Sequence, residues 1–370
     1  MKVYDFSYDL QRVQDKIYEK WQRSERRGFF MTVTIKDVAK KANVAPSTVS
    51  RVIADNPSIS EKTKRRVRKV MSELGYHPNL NARNLANQTT KTLGLVMPSS
   101  ASKAFQNPFF PEVIRGISSF AHVEGYALYM STGETEDEIF NGVVKMVQGR
   151  QIGGIILLYS RENDRIIQYL HDQNFPFVLI GKPYDRKDEI TYVDNDNYTA
   201  AREVAEYLIS LGHKQVAFIG GGSDLLVTRD RLAGMSDALK LADIVLPKEY
   251  ILHFDFSRES GQQAVEELMG LKQPPTAIIA TDDLIGLGVL SALSKKGLVV
   301  PKDVSIVSFN NALLSEIASP PLSTVDVNIY QLGYEAAKAL VDKVENAEST
   351  AKCIIIPHKL LKRQTCDHYA

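Results

Sequence analysis

From Thr92 onward, short apolar runs alternate with amphipathic stretches, and this alternation constrains the fold more than any other feature of the sequence. Near-continuous apolar runs such as Gly154–Tyr159 are typical of strands buried on both faces of a parallel sheet. The helical stretches between the runs give the βαβ pattern of an α/β protein. The sequence therefore predicts parallel sheets that are covered by helices.

The pattern predicts eight strands and five intervening helices. The strands are Thr92–Met97, Tyr126–Ser131, Gly154–Tyr159, Phe177–Gly181, Val216–Gly220, Tyr250–Asp255, Ala277–Thr281 and Ser305–Phe309, and the helices are Pro111–Glu124, Ala200–Leu211, Arg231–Ala242, Ser257–Met269 and Leu284–Lys296. Because this exceeds one sheet of usual size, we expect two α/β subdomains. Ligands of such folds bind beyond the carboxyl ends of the strands, so the residues that follow the strands are candidate contacts.

The segment before this body, residues 31–78, has the signals of three short helices. Thr34 begins a variant of the capping box at the first helix, and Pro46 suits the first position of the second. Ser60 can cap a third helix, which Gly75 ends. The string TIKDVAKKANVAPSTVSRVI, which starts at Thr34, is a helix-turn-helix pattern, whose second helix lies in the major groove of DNA.

Charge is divided unevenly along the chain. Residues 31–91 carry twelve Lys and Arg against four Asp and Glu, a net charge of +8, and residues 1–30 carry a net charge of +2. Because the whole chain has a net charge of +1, the remaining residues carry −9. This division suggests a polyanion-binding head on an acidic body. A solvated basic helix face at Lys62–Lys69 is the alternative interpretation.

Several classes of protein are excluded by the sequence. The longest apolar runs fall far short of the roughly 20 residues of a membrane helix, and the charged N-terminus is unlike a signal peptide, so we expect a cytoplasmic protein with no membrane partner. Cys353, Cys366 and the His residues show no disulfide framework and no metal spacing. No phosphate-binding motif is present, and the adjacent Asp282 and Asp283 cannot face each other as an acid–base pair. We therefore expect no catalytic residues, no metal and no cofactor.

Together these motifs resemble the LacI/GalR family of bacterial transcriptional repressors. The resemblance covers about residues 32–365 and lies in the helix-turn-helix string, ISEKTKRRVRKVMSELGYHPN, ARNLA, NPFFPEVIRGI, LGHKQVAFIGG, DRLAGM, FSRESGQQA, TAIIATDDLIGLGVL and VPKDVSIVSFNNALLSEIASPPLSTV. It implies an all-α head, a hinge helix, and a two-subdomain body like that of periplasmic sugar-binding proteins, which forms a homodimer. Within the family the chain most resembles repressors of maltose genes in Gram-positive bacteria.

The resemblance also implies which residues contact operator DNA. They are Thr34, Pro46, Ser47, Thr48, Ser50, Arg51, Asn79, Ala82 and Leu85. Arg51 can pair with guanine or clamp a phosphate. Leu85 matches a leucine that inserts into the minor groove and kinks the DNA; packing of Leu85 under its own domain is the alternative. The sequence departs from the family at Ala45, where a capping Ser is common, and at Pro46, where several members carry a base-reading side chain.

Sugars are bound by planar polar side chains that make paired hydrogen bonds and by aromatic rings that lie against the apolar faces of the sugar. Residues of this chemistry that match the family's effector contacts are Asn107, Phe109, Arg231, Phe256, Asp282 and Asn310. Arg231 stands at the start of a predicted helix, where the dipole disfavours a cation, and this favours a functional role over a surface one. The alternative for Phe256 is a core position. Asp194 and Asp196 are expected to organise the crossover between the subdomains.

We expect four segments: an extension at 1–30, compatible with a translation start assigned too early, the head at 31–78, a hinge helix and linker at 79–91, and the body at 92–370. The expected function is repression of maltose or maltodextrin genes, with release from double-stranded operator DNA when sugar binds between the subdomains. A global carbon-catabolite regulator that takes a phosphorylated carrier protein as corepressor is the alternative, and it requires a basic cluster on the body. An enzyme on a sugar-binding fold is a third hypothesis, which a catalytic assay on sugars would test.

Overall fold

The computed structural model describes residues 33–76, 90–98, 101–346 and 348–369, without the side chains of 101–103. The chain divides into two compact units, Met1–Gln88 and Thr89–Ala370. The first contains the predicted head and the second the predicted body. The predicted extension at 1–30 and the predicted hinge up to residue 89 lie outside the described residues.

Three helices form the described part of the first unit: α1 (Ile35–Ala42), α2 (Pro46–Ile53) and α3 (Glu61–Leu74). The predicted capping box is confirmed, because the Thr34 hydroxyl accepts from the Asp37 N–H and the Asp37 carboxylate accepts from the Thr34 N–H at 2.8 Å. Ser60 caps α3, and Gly75 ends it in the left-handed region with a φ of 63°. A small apolar core joins the three helices through Val38, Ala39, Ala42, Val49, Val52, Val67 and Val70.

The second unit consists of strands and helices in alternation, as the sequence predicts. Its strands are β1 (Thr92–Val96), β2 (Ala127–Ser131), β3 (Gly154–Leu157), β4 (Phe177–Ile180), β5 (Tyr192–Asp194), β6 (Val216–Gly220), β7 (Ile251–His253), β8 (Ala277–Ala280), β9 (Ser305–Phe309), β10 (Ser323–Asp326), β11 (Cys353–Ile355) and β12 (Lys359–Leu361). Its helices are α4 (Ala101–Gln106), α5 (Phe109–Val123), α6 (Glu136–Gln148), α7 (Arg165–Asp172), α8 (Asn197–Ser210), α9 (Leu226–Leu241), α10 (Arg258–Met269), α11 (Asp283–Lys295), α12 (Leu313–Ile317) and α13 (Ile329–Glu345), with a short 3₁₀ helix at Lys248–Tyr250.

These strands form two six-stranded sheets, one for each subdomain. The first has the order β11-β5-β4-β3-β1-β2 and the second the order β12-β10-β9-β8-β6-β7. The pairings are parallel except that of β10 with β12. Helix α13 packs on β3, β4 and β5 of the first sheet, whereas α8 contacts strands of the second. The chain therefore passes between the subdomains three times: after β5, after β10, and between β11 and β12.

The eight predicted strands are present, but β5, β10, β11 and β12 were not predicted. They have only three or four residues, and polar side chains interrupt the apolar pattern in most of them. The predicted start of α9 at Arg231 is wrong, since the helix begins at Leu226 and Leu225 at its N-cap provides no side-chain cap. Arg231 therefore lies inside the helix, where the dipole does not disfavour its positive charge as it would at the helix start.

Among the described helices, none is long and apolar enough to cross a membrane.

Candidate functional site

The exposed face of α2 carries most of the predicted DNA contacts in the head. Val49 and Val52 pack into the core, so the opposite face of α2 is open to solvent. That face presents Pro46, Ser47, Ser50 and Arg51, and Thr48 is half-buried at its edge. Thr34 is exposed at the start of α1, but its hydroxyl already donates to the Asp37 carboxylate at 2.6 Å. The predicted contacts Asn79, Ala82 and Leu85 lie outside the described residues.

The acidic side chains in the described part of the head are all engaged within it. Asp37 serves the cap of α1, and the others form the ion pairs Lys41–Glu73 (3.0 Å), Lys64–Asp55 (3.0 Å), Lys64–Glu61 (3.1 Å) and Arg68–Asp55 (2.7 Å). Within residues 33–76, the exposed cations that make no ion pair are Lys36, Lys40, Arg51, Lys62, Arg65, Arg66 and Lys69. These cations are available to replace the counterions of DNA phosphates.

The body contains a cavity of about 640 Å³ that is lined by both subdomains. The structure places all six predicted effector contacts on its wall: Asn107, Phe109, Arg231, Phe256, Asp282 and Asn310. Asn107 and Phe109 belong to the first subdomain, and the other four belong to the second. Phe256, Asp282 and Asn310 directly follow strands or stand near their ends, so the cavity lies beyond the carboxyl ends of the strands, as expected for this kind of fold.

Asp282 is the centre of a buried polar group in this wall. One of its oxygens accepts from the Asn107 amide at 3.0 Å and from the Asn310 amide at 2.9 Å, and the other accepts from the Leu284 N–H at the start of α11. Burial raises the pKa of Asp282, and the hydrogen bond from Asn107 opposes that shift. The bond from Asn107 joins the two subdomains. Asp283 faces elsewhere, because its carboxylate accepts from Ser308, Thr324 and the Ala312 N–H.

Arg231 is buried, and its guanidinium is fixed by protein groups. Its Nε donates to the Asn197 side-chain oxygen at 2.9 Å and its Nη1 to the Thr281 carbonyl at 2.7 Å. The guanidinium carbon lies 4.1 Å from the centre of the Phe309 ring. Burial lowers the pKa of Arg231 to about 10, while Asp194 and Asp282 act in the opposite direction, so the side chain stays charged at neutral pH. Arg231 thus contributes a fixed positive charge to the wall of the cavity.

Aromatic rings cover other parts of the wall. Phe109 and Phe110 are in edge-to-face contact with ring centres 5.4 Å apart. Phe256 is half-buried and packs directly on Gly221, where the β-carbon of any larger residue would lie 2.3 Å from the ring. Gly221 therefore lets the Phe256 ring approach the backbone closely. These rings offer flat apolar surfaces on two sides of the cavity.

The floor of the cavity lies where the chain passes between the subdomains. Asn195 follows β5, and its Nδ2 donates to the carbonyls of Val327 at 3.0 Å and Ile356 at 2.9 Å, one on each of the other two passages. The Asp194 carboxylate accepts from the N–H groups of Asn195 and Lys182. Burial raises the pKa of Asp194 to about 7. Asp194 lies on this crossover, as predicted, and Asp196 caps α8.

Sequence reasoning missed other polar residues of the wall, among them Gln106, Tyr159, Arg161, Asn195 and Asn197. Tyr159 lies just beyond the C-terminal end of β3, and this position was a signal that could have identified it. Asn195 and Asn197 are sequence neighbours of Asp194 and Asp196, which were predicted to organise the crossover between the subdomains. Within the described part of the chain, no group of His, Cys, Asp and Glu is arranged to hold a metal ion.

A helix-turn-helix head followed by a two-sheet body with a polar and aromatic cavity is typical of a class of DNA-binding transcriptional regulators. Residues 34–79 match bacterial regulatory proteins of the lacI family, and residues 205–366 match a periplasmic binding protein-like domain. The chain is 40% identical to the HTH-type transcriptional regulator MalR of Streptococcus pneumoniae, over 90% of this chain and all of that relative. It is 35% identical to MalR of Staphylococcus xylosus, over 90% of this chain and 98% of that relative.

Solved structures agree with this assignment. The lac repressor dimer bound to operator and the anti-inducer ONPF has a TM-score of 0.79 and 27% identity, covering 90% of this chain and 98% of that one. The complex of the regulator CelR with cellobiose has a TM-score of 0.71 and 29% identity, covering 90% of this chain and 99% of that one. A crystallised putative transcriptional regulator LacI of Bacillus cereus subsp. cytotoxis NVH 391-98 is 96% identical and has a TM-score of 0.76. The match covers 76% of this chain and 100% of that one. The chain belongs to the LacI family and is a transcriptional repressor, a class of DNA-binding regulators that are not enzymes.

Replacing Asn195 with Leu should destabilise the body, because two buried carbonyls would lose their donor. Each unpaired buried acceptor costs about 1–3 kcal/mol, so we expect the free energy of unfolding to fall by about 2 kcal/mol or more. Urea unfolding of the full chain measures this loss. The matched control is Gln151→Leu, an amide replaced at an exposed position, for which the change should stay within about 0.5 kcal/mol. Equal stability of Asn195→Leu and the wild type would show that the amide does not hold the passages together.

Proposed function

We propose that this protein represses genes for maltose or maltodextrin utilisation and leaves its operator when such a sugar binds in the body cavity. The observation that carries the proposal is the convergence of six polar and aromatic side chains, from both subdomains, on one cavity. A volume of about 640 Å³ is within the usual range of about 300–1,000 Å³ for small-molecule sites. A solved structure that is 32% identical, a probable maltose operon transcriptional repressor malR, supports maltose, and the CelR complex with cellobiose supports a disaccharide in a body of this fold.

The chemistry of the wall suits a neutral polyhydroxyl ligand. Each amide nitrogen of Asn107 and Asn310 has two N–H groups, of which Asp282 accepts one, so the second can serve a sugar hydroxyl. Arg231 is already oriented by Asn197 and Thr281, so it loses little side-chain entropy on binding. The rings of Phe109 and Phe256 would lie against the apolar faces of the sugar. In this scheme all six predicted contacts act together.

Sugar would act on DNA binding through its differential affinity for two arrangements of the body. A ligand between the subdomains contacts both of them, so it favours the arrangement in which both sets of contacts form. The three passages between the subdomains transmit this preference to the whole body. We propose that the sugar-bound arrangement is incompatible with tight operator binding, and that the sugar therefore induces the repressed genes.

The alternative of a phosphoprotein corepressor requires a basic cluster on the body, and the arginines near the cavity do not supply one with free charges. The structure pairs Arg161 with Glu136, Arg165 with Asp137 at 2.7 Å and Arg229 with Glu162 at 2.8 Å, and Arg231 is buried. A phosphoserine would have to displace a carboxylate from each exposed arginine before it could bind there.

We propose a homodimer through the body, because each subdomain exposes an apolar patch. Tyr129 and Met130 on β2 are 44% and 47% exposed, and Leu313 and Ile317 on α12 are 73% and 67% exposed. A second copy is the proposed occupant, since the lac repressor of this fold is a dimer, and helix-turn-helix dimers bind paired half-sites. Sedimentation equilibrium of the wild type and of Leu313→Glu/Ile317→Glu should give a dimer and a monomer. A monomeric wild type at micromolar concentration would exclude this interface.

The ligand is tested by operator release against a panel of sugars, with maltose and maltotriose expected to release and galactose and ribose expected to fail. Arg231→Ala should then keep operator binding but lose the response to sugar. Loss of hydrogen bonds from a charged donor costs about 1.5–3 kcal/mol, which is roughly 10- to 150-fold in sugar affinity by calorimetry. Arg202→Ala, on the surface of α8, is the control and should behave as wild type. If Arg231→Ala binds the releasing sugar as tightly as wild type, the cavity assignment fails.

Leu85→Ala should reduce operator affinity and DNA bending together, because a wedge that unstacks a base step produces both. Sugar affinity of the body should remain unchanged. Fluorescence anisotropy and a gel bending assay on the same operator measure the two effects. Asn87→Ala is a control in the same segment and should change the bend little. Operator affinity equal to that of wild type would reject the wedge role for Leu85.

A further inference from the structure

A second, smaller cavity of about 140 Å³ lies next to the first in the body. The two cavities have Pro98, Tyr159 and Arg161 in common in their walls. Because the same side chains face both spaces, they form a partition between them. The guanidinium of Arg161 lies over the Tyr159 ring, 5.0 Å from its centre, so the two side chains act as one wall.

This partition stands where the two subdomains meet. The segment around Arg161 belongs to the first subdomain, and it is joined to the second by two backbone hydrogen bonds. The Leu226 N–H donates to the Ser160 carbonyl at 3.2 Å, and the Glu162 N–H donates to the Asp224 carbonyl at 3.0 Å. These two bonds hold the backbone of the partition in the described arrangement, and its side chains fill the space between the cavities.

The Arg161 side chain is held by contacts with Glu136, Asp224 and Tyr159. Its Nη1 donates to the Glu136 carboxylate. Its Nε lies 3.7 Å from the Asp224 carboxylate and, among the described residues, is a buried donor with no hydrogen-bond partner. A buried donor without an acceptor is unfavourable. Arg161 therefore lies at the boundary of the two cavities, where its guanidinium separates the second cavity from the main one.

The second cavity has the chemistry of a sugar site. Ile139, Phe140 and Ile166 give it an apolar side, and Glu162, Asn163 and Asp164 give it oxygen and amide groups. Its carboxylates outnumber its arginines, which disfavours an anion and suits an uncharged hydroxyl-rich group. The volume corresponds to roughly five water molecules at about 30 Å³ each, and one sugar ring with its hydroxyls displaces a comparable amount of water.

We infer that Arg161 sets the upper length of the linear saccharide that this protein accepts. The main cavity takes the saccharide up to the partition, and the Arg161 guanidinium blocks the next unit. Without that guanidinium the two cavities join, and the second cavity takes one further sugar unit. This inference rests on the proposed sugar effector, and it makes Arg161 a specificity-determining residue that the six predicted contacts do not include.

Calorimetry of the full chain with maltose, maltotriose, maltotetraose and maltopentaose tests the inference. In this series, the affinity of the wild type should fall sharply once the saccharide exceeds a particular number of sugar units. Arg161→Ser should bind the next longer saccharide at least about tenfold more tightly than wild type does, which corresponds to about 1.4 kcal/mol. Arg161→Met keeps the apolar stem and should give a smaller shift in the same direction, so it decides the question if Arg161→Ser does not fold.

The matched control is Arg229→Ser. It removes an arginine together with its own ion pair, which joins Arg229 to Glu162 at 2.8 Å, and Arg229 lines neither cavity. It should keep the length profile of the wild type. An unchanged profile in both Arg161 variants, or an equal shift in Arg229→Ser, would overturn the inference while leaving the proposed effector in place. If the wild type binds no member of the series, the proposed effector fails, and the inference fails with it.

Discussion

The architecture of the body depends on the hydrogen bonds of one buried amide at the point where the chain passes between the two sheets. Asn195 lies on the first passage, and its Nδ2 donates to Val327 on the second and to Ile356 on the third. Buried carbonyls must be paired, so this amide fixes the spacing of the three passages. The cavity lies beside these passages, and its shape follows from how they hold the sheets.

The polar side chains of the cavity are oriented by hydrogen bonds to other groups of the protein. Arg231 is oriented by Asn197 and the Thr281 carbonyl, and Asp282 is oriented by two asparagine amides. Charged groups of this kind are costly to bury unless each has its partners. Since the partners are supplied by the protein itself, the site is preorganised, and a ligand adds hydrogen bonds without first having to order the side chains.

The head combines carboxylates that are paired within it with cations that are left unpaired. Its few carboxylates are used within the unit, at a helix cap and in ion pairs with Lys41, Lys64 and Arg68. Lys64 is a buried cation that needs those partners, whereas Arg51 and its exposed neighbours keep their charge for phosphates. The same small domain therefore has enough ion pairs to support its short helices and enough unpaired cations to bind DNA.

What the sequence determined by itself is local. The Thr34 capping box, Pro46 at the start of α2 and Gly75 after α3 act within a few residues, so the starts of the three helices of the head and the end of α3 were predicted as observed. Strands such as β3, β4 and β8 were also predictable, because burial on both faces leaves continuous apolar runs. The six candidate contacts came from their positions near strand ends and from the family resemblance.

The tertiary structure alone decided which of these residues meet and how they are held. Asn107 and Asp282 are 175 residues apart in the chain, and their hydrogen bond exists only because two sheets face each other. Arg231 looked like a residue at a helix start, but it is buried, because an uncapped helix begins five residues earlier. The short strands β11 and β12 and the role of Asn195 were likewise invisible to a sequence pattern. Each depends on the three passages of the chain between the subdomains, and contacts of that kind are set by the packing of distant elements and not by the residues nearby.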